Sequence, residues 1–256
     1  LVQAWKILSK FRPDLVIGVG GYASVPLLLA ALGRRLPCMI HEQNALPGVS
    51  NRLLGRFVQR ICLSFPDTRG QFPATKVVVT GNPLRQELEA IPADLSGADQ
   101  LLIFGGSRGA AALNRTLCDM LPLLAEWPRV PAILHQTGEQ DFQQVRASYQ
   151  QAGLENARVV PFIEDMAHAY REATLVICRA GATTLAELTV CGRPAILIPF
   201  PHATGDHQLV NARTLEQQGA VRVIEQSELT AERLAQEIQT LLGDRPGLRV
   251  MAENSR

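Results

Sequence analysis

The chain has 256 residues, with 46% hydrophobic and 19% charged residues and a formal net charge of +1. That supply of apolar side chains supports a real core and excludes wholesale disorder, and so even a charge carries no bulk signal for nucleic acid. The longest apolar run, residues 25–32, is far short of the roughly 18 residues a membrane span needs. Five scattered cysteines, none at C-x-x-C spacing, argue against a disulfide framework or zinc site and for a reducing compartment.

The charge is uneven along the chain. Residues 1–85 hold eleven Lys/Arg against three Asp/Glu, a net +8, and residues 86–256 carry a net −7. Opposite signs suggest two domains with different partners, the first facing something anionic such as a lipid surface or a pyrophosphate; chance surface composition is the plain alternative. The sequence opens at Leu1 inside a helical pattern and stops in helical-looking residues at Arg256. It reads as a fragment at both ends, without the n-region or cleavage site of a signal peptide.

Short β-branched runs alternate with longer amphipathic ones. In chain order, strands are predicted at residues 14–18, 38–41, 60–64, 76–80, 101–104, 132–135, 158–161, 175–178, 195–198 and 220–224. Helices are predicted at 110–124, 141–152, 183–191, 208–218 and 230–242. This alternation predicts an α/β protein of parallel sheets covered by helices. Ten strands are many for one sheet. Two domains, 1–85 and 86–256, fit better, joined at the turn-rich residues 81–85.

Open parallel sheets bind ligands beyond the carboxyl ends of their strands, where strand order reverses. The segment Gly18-Val-Gly-Gly-Tyr-Ala-Ser24 lets backbone approach a ligand, or is only a tight turn. His41-Glu-Gln-Asn44 offers amide and carboxylate groups to a polar substrate, or is a hydrogen-bonded turn. In Gly105-Gly-Ser-Arg-Gly-Ala110 a helix start and the Ser107 hydroxyl make the physics of a phosphate site, without the Lys-Ser/Thr of a P-loop or G-x-G-x-x-G spacing. Phe162-Ile-Glu-Asp-Met166 presents backbone beside a strand end. In Arg179-Ala-Gly-Ala-Thr-Thr-Leu-Ala-Glu187, Thr183 and Thr184 open a helix whose free N–H groups suit a pyrophosphate. Glu187, about one turn in, can accept hydrogen bonds from both hydroxyls of a ribose. Singly, capping threonines and a helix-dipole carboxylate explain these residues; together they favour nucleotide binding. Last, His202, Asp206, His207, Gln208 and Asn211 crowd one strand end. Metal binding there lacks a second ligand cluster, and sugar-hydroxyl recognition by Gln208 and Asn211, a helical turn apart, is more economical. Covalent-nucleophile hydrolysis is not expected.

In this order and spacing, GGYASVP, HEQNALPG, GNPLR, GGSRGA, FIEDM, RAGATTLAE and PHATGDHQLVNA closely resemble the MurG family, bacterial enzymes that add N-acetylglucosamine to the lipid-linked muramyl-pentapeptide precursor of peptidoglycan. The resemblance spans nearly the whole chain. It implies a GT-B glycosyltransferase of two Rossmann-like domains with a cleft between them, the first truncated. The acidic half would bind UDP-GlcNAc. The basic half would bind the lipid-pyrophosphate acceptor on the anionic cytoplasmic face of the plasma membrane, as a peripheral protein with no nucleic-acid partner. Transfer would proceed with inversion, by direct displacement at the anomeric carbon, with no cofactor and no required metal.

Matched by motif, Ser107 would contact a donor phosphate and the Ile163 backbone would read the uracil edge. Ala182, Thr183, Thr184, Leu185, Ala186 and Glu187 would line the diphosphate and sugar, with Glu187 on the ribose. Gln208 and Asn211 would hold GlcNAc hydroxyls, Asn44 would lie at the sugar, and Arg85 would reach the donor from the interdomain joint. Arg108 stands where the family often has Gln. A further GGTGGH-like loop, whose His is a candidate general base, does not occur in this sequence. The catalytic residue therefore stays unassigned, although general-base help is typically worth about 10²–10⁴-fold. Leu1, Trp5 and Leu8 with Lys6 and Lys10, and Leu53, Leu54 and Phe57 among Arg52, Arg56 and Arg60, are either membrane-facing surfaces or core faces. Two alternatives stay open: a UDP-GlcNAc 2-epimerase on the same fold, and nucleotide-sugar binding alone in a chain of this extent.

Overall fold

The computed structural model describes residues 1–66, 68, 72–95, 97–107, 109–154 and 156–256. The chain divides into two compact units, Leu1–Pro83 and Leu84–Arg256. In the first, strands β1 (Val16–Gly18), β2 (Cys38–Glu42), β3 (Arg60–Leu63) and β4 (Val77–Val79) lie parallel in chain order. Helix α1 (Val2–Phe11) precedes them, α2 (Ser24–Gly33) connects β1 to β2, and α3 (Val49–Leu54) connects β2 to β3. Strand alternation sends Val16, Cys38, Ile40, Ile61 and Leu63 into a core with Ala4, Leu8, Leu28, Ala31 and Leu54 from the helices. A Cβ at Gly18 would run into the Leu28 Cδ1 methyl, so glycine here leaves room for Leu28 of α2 to pack directly on β1. The two basic amphipathic stretches are each split. Leu8 and Leu54 are core, while Leu1, Trp5, Leu53 and Phe57 stay exposed.

The second unit begins with α4 (Gln86–Glu89). It continues with β5 (Gln100–Phe104), α5 (Ala111–Ala125), β6 (Ala132–Gln136), α6 (Phe142–Gln151), β7 (Ala157–Val160) and α7 (Met166–Glu172). Next come β8 (Leu175–Cys178), α8 (Ala182–Cys191), β9 (Ala195–Leu197), α9 (His207–Gln217), β10 (Val221–Val223), α10 (Ala231–Gly243) and α11 (Arg245–Ser255). All six strands are parallel, in the spatial order β10-β9-β8-β5-β6-β7. From β5 the chain runs outward through β6 and β7, then returns to β8 on the other side of β5. Strand order thus reverses between β5 and β8, the Rossmann switch point. Every residue of β8 and β9 is buried, which is why both read as unbroken apolar runs.

The expected parallel α/β architecture is observed, and each expected strand lies within two residues of its observed limits. The reading of α8 needs one correction. Its N-cap is Gly181 and no side chain caps it, so Thr183 and Thr184 are first-turn residues and not caps. Two helices that apolar periodicity does not single out are started by aspartates. Asp165 accepts from the His168 N–H at 2.9 Å before α7, and Asp244 from the Gly247 N–H at 2.9 Å before α11. Arg193, 1% exposed, donates to the carbonyls of Pro92, Asp94 and Arg171, tying the segment before β5 and the end of α7 to the α8–β9 turn.

Candidate functional site

At the switch point of the second unit, a buried side chain joins the segments after β5 and β7. Gln136 ends β6 and is 3% exposed. Its Nε2 donates to the Gly106 carbonyl at 2.9 Å, and its Oε1 accepts from the Ile163 N–H at 3.3 Å. One amide therefore joins the glycine segment after β5 to the segment after β7. Gly109, at φ +76, passes so close that a Cβ would sit 1.8 Å from the Thr137 carbonyl oxygen; both the angle and the space demand glycine. Asn114, on α5, braces the same turn: its Nδ2 donates to the Thr137 carbonyl at 2.9 Å and to Asp141 Oδ2 at 2.7 Å. Asn114 Oδ1 lies 3.1 Å from His135 Nε2, and burial lowers the His135 pKa to about 3, so this imidazole is neutral and donates.

Ser107 is exposed, Ile163 is buried, and Arg108 lies outside the described residues. The letters of residues 105–109 also match the G-x-S-x-G pattern of a nucleophile elbow. Among the described residues, however, no His or Asp hydrogen-bonds the Ser107 hydroxyl, so no catalytic triad is built on it.

Across the switch point, the first amides of α8 have no intrahelical acceptors and no side-chain cap. Thr183 is exposed, Ala182, Thr184 and Ala186 are half-buried, and Leu185 turns into the core. Glu187 is half-buried, one turn in. Its Oε2 accepts the Tyr170 hydroxyl at 2.9 Å. Burial raises the Glu187 pKa above 4.5, against the lowering effects of the Tyr170 hydrogen bond and the Arg85 charge. Arg85, exposed at the start of α4, thus shares the electrostatic environment of Glu187. Arg179, 8% exposed, donates to the carbonyls of Ile198 and Pro199 and to Gln226 Oε1, with its guanidinium 5.5 Å from the Phe200 ring. The residue just before the α8 loop is thus a buried cation held by neutral acceptors, which ties the end of β8 to the segment after β9.

Beyond β9, Gln208 is half-buried and its Oε1 accepts the Phe200 N–H at 2.9 Å. Asn211, one turn on, is 0% exposed. Among the described residues no group of three or more His, Cys, Asp or Glu is placed to hold a metal ion.

In the first unit, His41-Glu-Gln-Asn44 is built around a buried carboxylate. Glu42, 2% exposed, accepts the backbone N–H and side-chain amide of Asn44 on Oε1, and the Gly48 N–H and the Asn51 amide on Oε2. This fixes Asn44 at the end of β2. Its neighbour Gln43 donates to the Val19 carbonyl at 3.2 Å, so the segments after β1 and β2 meet. His41 Nε2 lies 3.0 Å from the Gly81 carbonyl. With those partners, His41 and Glu42 hold this segment in place.

Sequence reasoning did not single out Gln136, Tyr170 or Asn51, and passed over the role of Glu42. For Gln136 a signal exists: His135 and Gln136 are polar residues closing the apolar run 132–134, where side chains leave the core for the strand's carboxyl end. Tyr170 carries no such mark, since its partner lies seventeen residues away.

The profile of the glycosyltransferase family 28 C-terminal domain matches residues 100–256, and that of the family 28 N-terminal domain matches residues 1–63. A relative from Syntrophotalea carbinolica, a UDP-N-acetylglucosamine–N-acetylmuramyl-(pentapeptide) pyrophosphoryl-undecaprenol N-acetylglucosamine transferase, is 54% identical over 246 residues, 96% of this chain and 69% of the relative. The crystal structure of Acinetobacter baumannii MurG superposes with a TM-score of 0.84 at 38% identity, covering all of this chain and 72% of that one. UDP-GlcNAc 2-epimerase from Neisseria meningitidis, bound to UDP-GlcNAc, reaches a TM-score of 0.69 over 98% of this chain and 74% of its own, at 16% identity; that likeness shows a shared fold alone. With the family profiles across both units and a relative sharing over half its residues, this chain belongs to the MurG family of family 28 glycosyltransferases.

Proposed function

We propose that this chain transfers N-acetylglucosamine from UDP-GlcNAc to the lipid-linked muramyl-pentapeptide, turning lipid I into lipid II in peptidoglycan synthesis. The observation that carries the reading is the Rossmann switch point, where the uncapped start of α8 lies beside Arg179 and a carboxylate, Glu187, sits one turn in. Helix N-termini bind phosphate through free N–H groups and the helix dipole. Here the free N–H groups of Ala182, Thr183 and Thr184 would hold the diphosphate together with Ser107, while the Leu185 N–H is spent on the Gly181 carbonyl and its side chain is core, so that Leu185 and Ala186 only frame the helix start. The Ile163 backbone, through the carbonyl left beside an N–H held by Gln136, reads the uracil edge, Glu187 accepts the ribose hydroxyls, and Arg85 adds positive charge. Gln208 and Asn211, a helical turn apart on α9, recognise the sugar.

In this reaction the acceptor hydroxyl oxygen attacks the anomeric carbon as the C–O bond to UDP breaks, so configuration inverts and the hydroxyl proton passes to a base. Negative charge grows on the leaving diphosphate, where preorganised N–H donors stabilise it most. No cofactor or metal ion takes part. Residues 1–85 face the lipid acceptor at the cytoplasmic face of the plasma membrane, bound peripherally. Supporting this are their net +8 charge, the exposed Trp5, Ile7, Phe11, Leu53 and Phe57 among Lys6, Lys10, Arg52 and Arg56, and the absence, among the described residues, of any helix long and apolar enough to cross a membrane. Through cell-wall synthesis such an activity bears on cell shape and division.

The test is to incubate the chain with UDP-GlcNAc and a lipid I analogue and to follow products by mass. Transfer of GlcNAc with release of UDP is the expected result. Conversion of UDP-GlcNAc to its manno epimer without acceptor would refute the transferase reading.

A further inference from the structure

Glu187 does not stand alone. Tyr170, on α7, is 0% exposed and packs edge-on against Phe104, with ring centroids 6.1 Å apart and planes at 81°. Its hydroxyl donates to Glu187 Oε2 at 2.9 Å. The terminal torsion of a glutamate is soft and broad, so a free carboxylate would sample many orientations. A hydrogen bond from a ring locked by packing removes that freedom. Among the described residues, Glu187 Oε1 has no hydrogen-bond donor of its own, so with Oε2 anchored it is the oxygen left to accept from a ligand. Tyr170 is too deeply buried to touch a ligand, and whatever it does for binding passes through Glu187.

We infer that Tyr170 is a positioning residue for donor recognition: it holds the Glu187 carboxylate in the orientation that accepts the two ribose hydroxyls of a uridine nucleotide, and so carries part of the preference for ribose over deoxyribose. This rests on the reading of Glu187 as the ribose ligand. The other groups around the carboxylate do not duplicate the role. Arg85 acts on it through charge, and Cys178 and Cys191 are thiols that burial holds in their neutral form. Burial likewise keeps the Tyr170 hydroxyl protonated, so it remains a donor at all working pH values.

The experiment compares binding of UDP and of 2′,3′-dideoxy-UDP by calorimetry to the full chain, to Tyr170→Phe and to Glu187→Gln. Tyr170→Phe removes one oxygen and leaves the ring packing intact. Losing a hydrogen bond to a charged acceptor should weaken UDP binding roughly ten- to a hundredfold, while dideoxy-UDP binds Tyr170→Phe and the parent alike. That unchanged affinity also reports that the variant is folded. Equal weakening of both ligands would overturn the inference, because the hydroxyl would then support the site in general. An unchanged preference for UDP in Tyr170→Phe, with that preference lost in Glu187→Gln, would overturn it while leaving the ribose reading intact. If Glu187→Gln keeps the full preference, the ribose reading falls and the inference falls with it. A second readout, the pH at which UDP binding is half lost, should move upward in Tyr170→Phe, since the hydroxyl favours the ionised carboxylate.

Discussion

Replacing Glu42 by glutamine tests whether one buried carboxylate organises the segment that carries Asn44. Its two oxygens accept four N–H donors, from Asn44 twice at 3.0 and 3.2 Å, from Gly48 at 3.0 Å and from Asn51 at 2.8 Å. Glutamine has the same size but one acceptor oxygen and one NH₂. Whichever way it turns, two of the four donors then face another donor. A buried donor left without an acceptor costs about 1–3 kcal/mol, but Asn44 and Gly48 are half-buried and the Asn51 amide also donates to the His41 carbonyl, so Glu42→Gln should destabilise the unit Leu1–Pro83 by about 1–3 kcal/mol in all. That is a measurable share of the ~5–15 kcal/mol typical of a whole domain. Urea unfolding, with amide hydrogen exchange read at Asn44 and Gly48, measures it. The expected result is a lower midpoint for the first unit, faster exchange at both amides, and unchanged protection in β5 and β8. Unaltered protection at Asn44 and Gly48 would refute the reasoning, since the carboxylate would then not be what holds them.

Gln136→Leu removes the bridge between the Gly106 carbonyl and the Ile163 N–H; at about 0.5–1.5 kcal/mol per bond the two segments loosen, and calorimetry should show UDP binding weakened about tenfold. Gly109→Ala forces a Cβ into the Thr137 carbonyl at a positive φ, so its thermal midpoint should fall, with a cost of at least ~1–3 kcal/mol; a midpoint equal to the parent's would show that the turn yields freely. The Glu187 pKa is raised by burial, so UDP binding, which needs the ionised form, should be complete at high pH and fail as pH drops through a value above 4.5. Glu187→Gln should lack this dependence, and a titration identical to the parent's would exclude the carboxylate. On folding stability the sign is opposite: the folded state holds this proton more tightly than the unfolded one, so the contribution is full below pH 4.5 and is lost as pH rises through the folded value.

Much of the fold is written in local pattern. Runs such as 175–178 and 195–198 are legible as strands because short apolar stretches, half of their residues β-branched, between Gly, Pro and Thr leave few other conformations open. Helices such as α5 and α10 show in the spacing of Leu113, Leu117, Leu121 and Leu124, and of Leu234, Ile238 and Leu241. The glycine segment after β5 and the acid one turn into α8 are likewise visible, since a strand end followed by Gly and a helix start is a local signal.

Tertiary structure alone decided the rest. The order β10-β9-β8-β5-β6-β7 is set by which strands pair across long crossovers, and identical apolar runs do not name their neighbours. The polar groups that hold the candidate site also have distant partners: Gln136 meets Gly106 and Ile163, Tyr170 meets Glu187, and Arg179 meets Gln226. Trp5 and Leu8 share one apolar helix face in sequence, yet Leu8 is core and Trp5 is half-exposed. Composition states that a side chain prefers burial or a hydrogen bond. Only the packed fold states where each is satisfied, because burial and partnership belong to pairs of residues brought together from far along the chain.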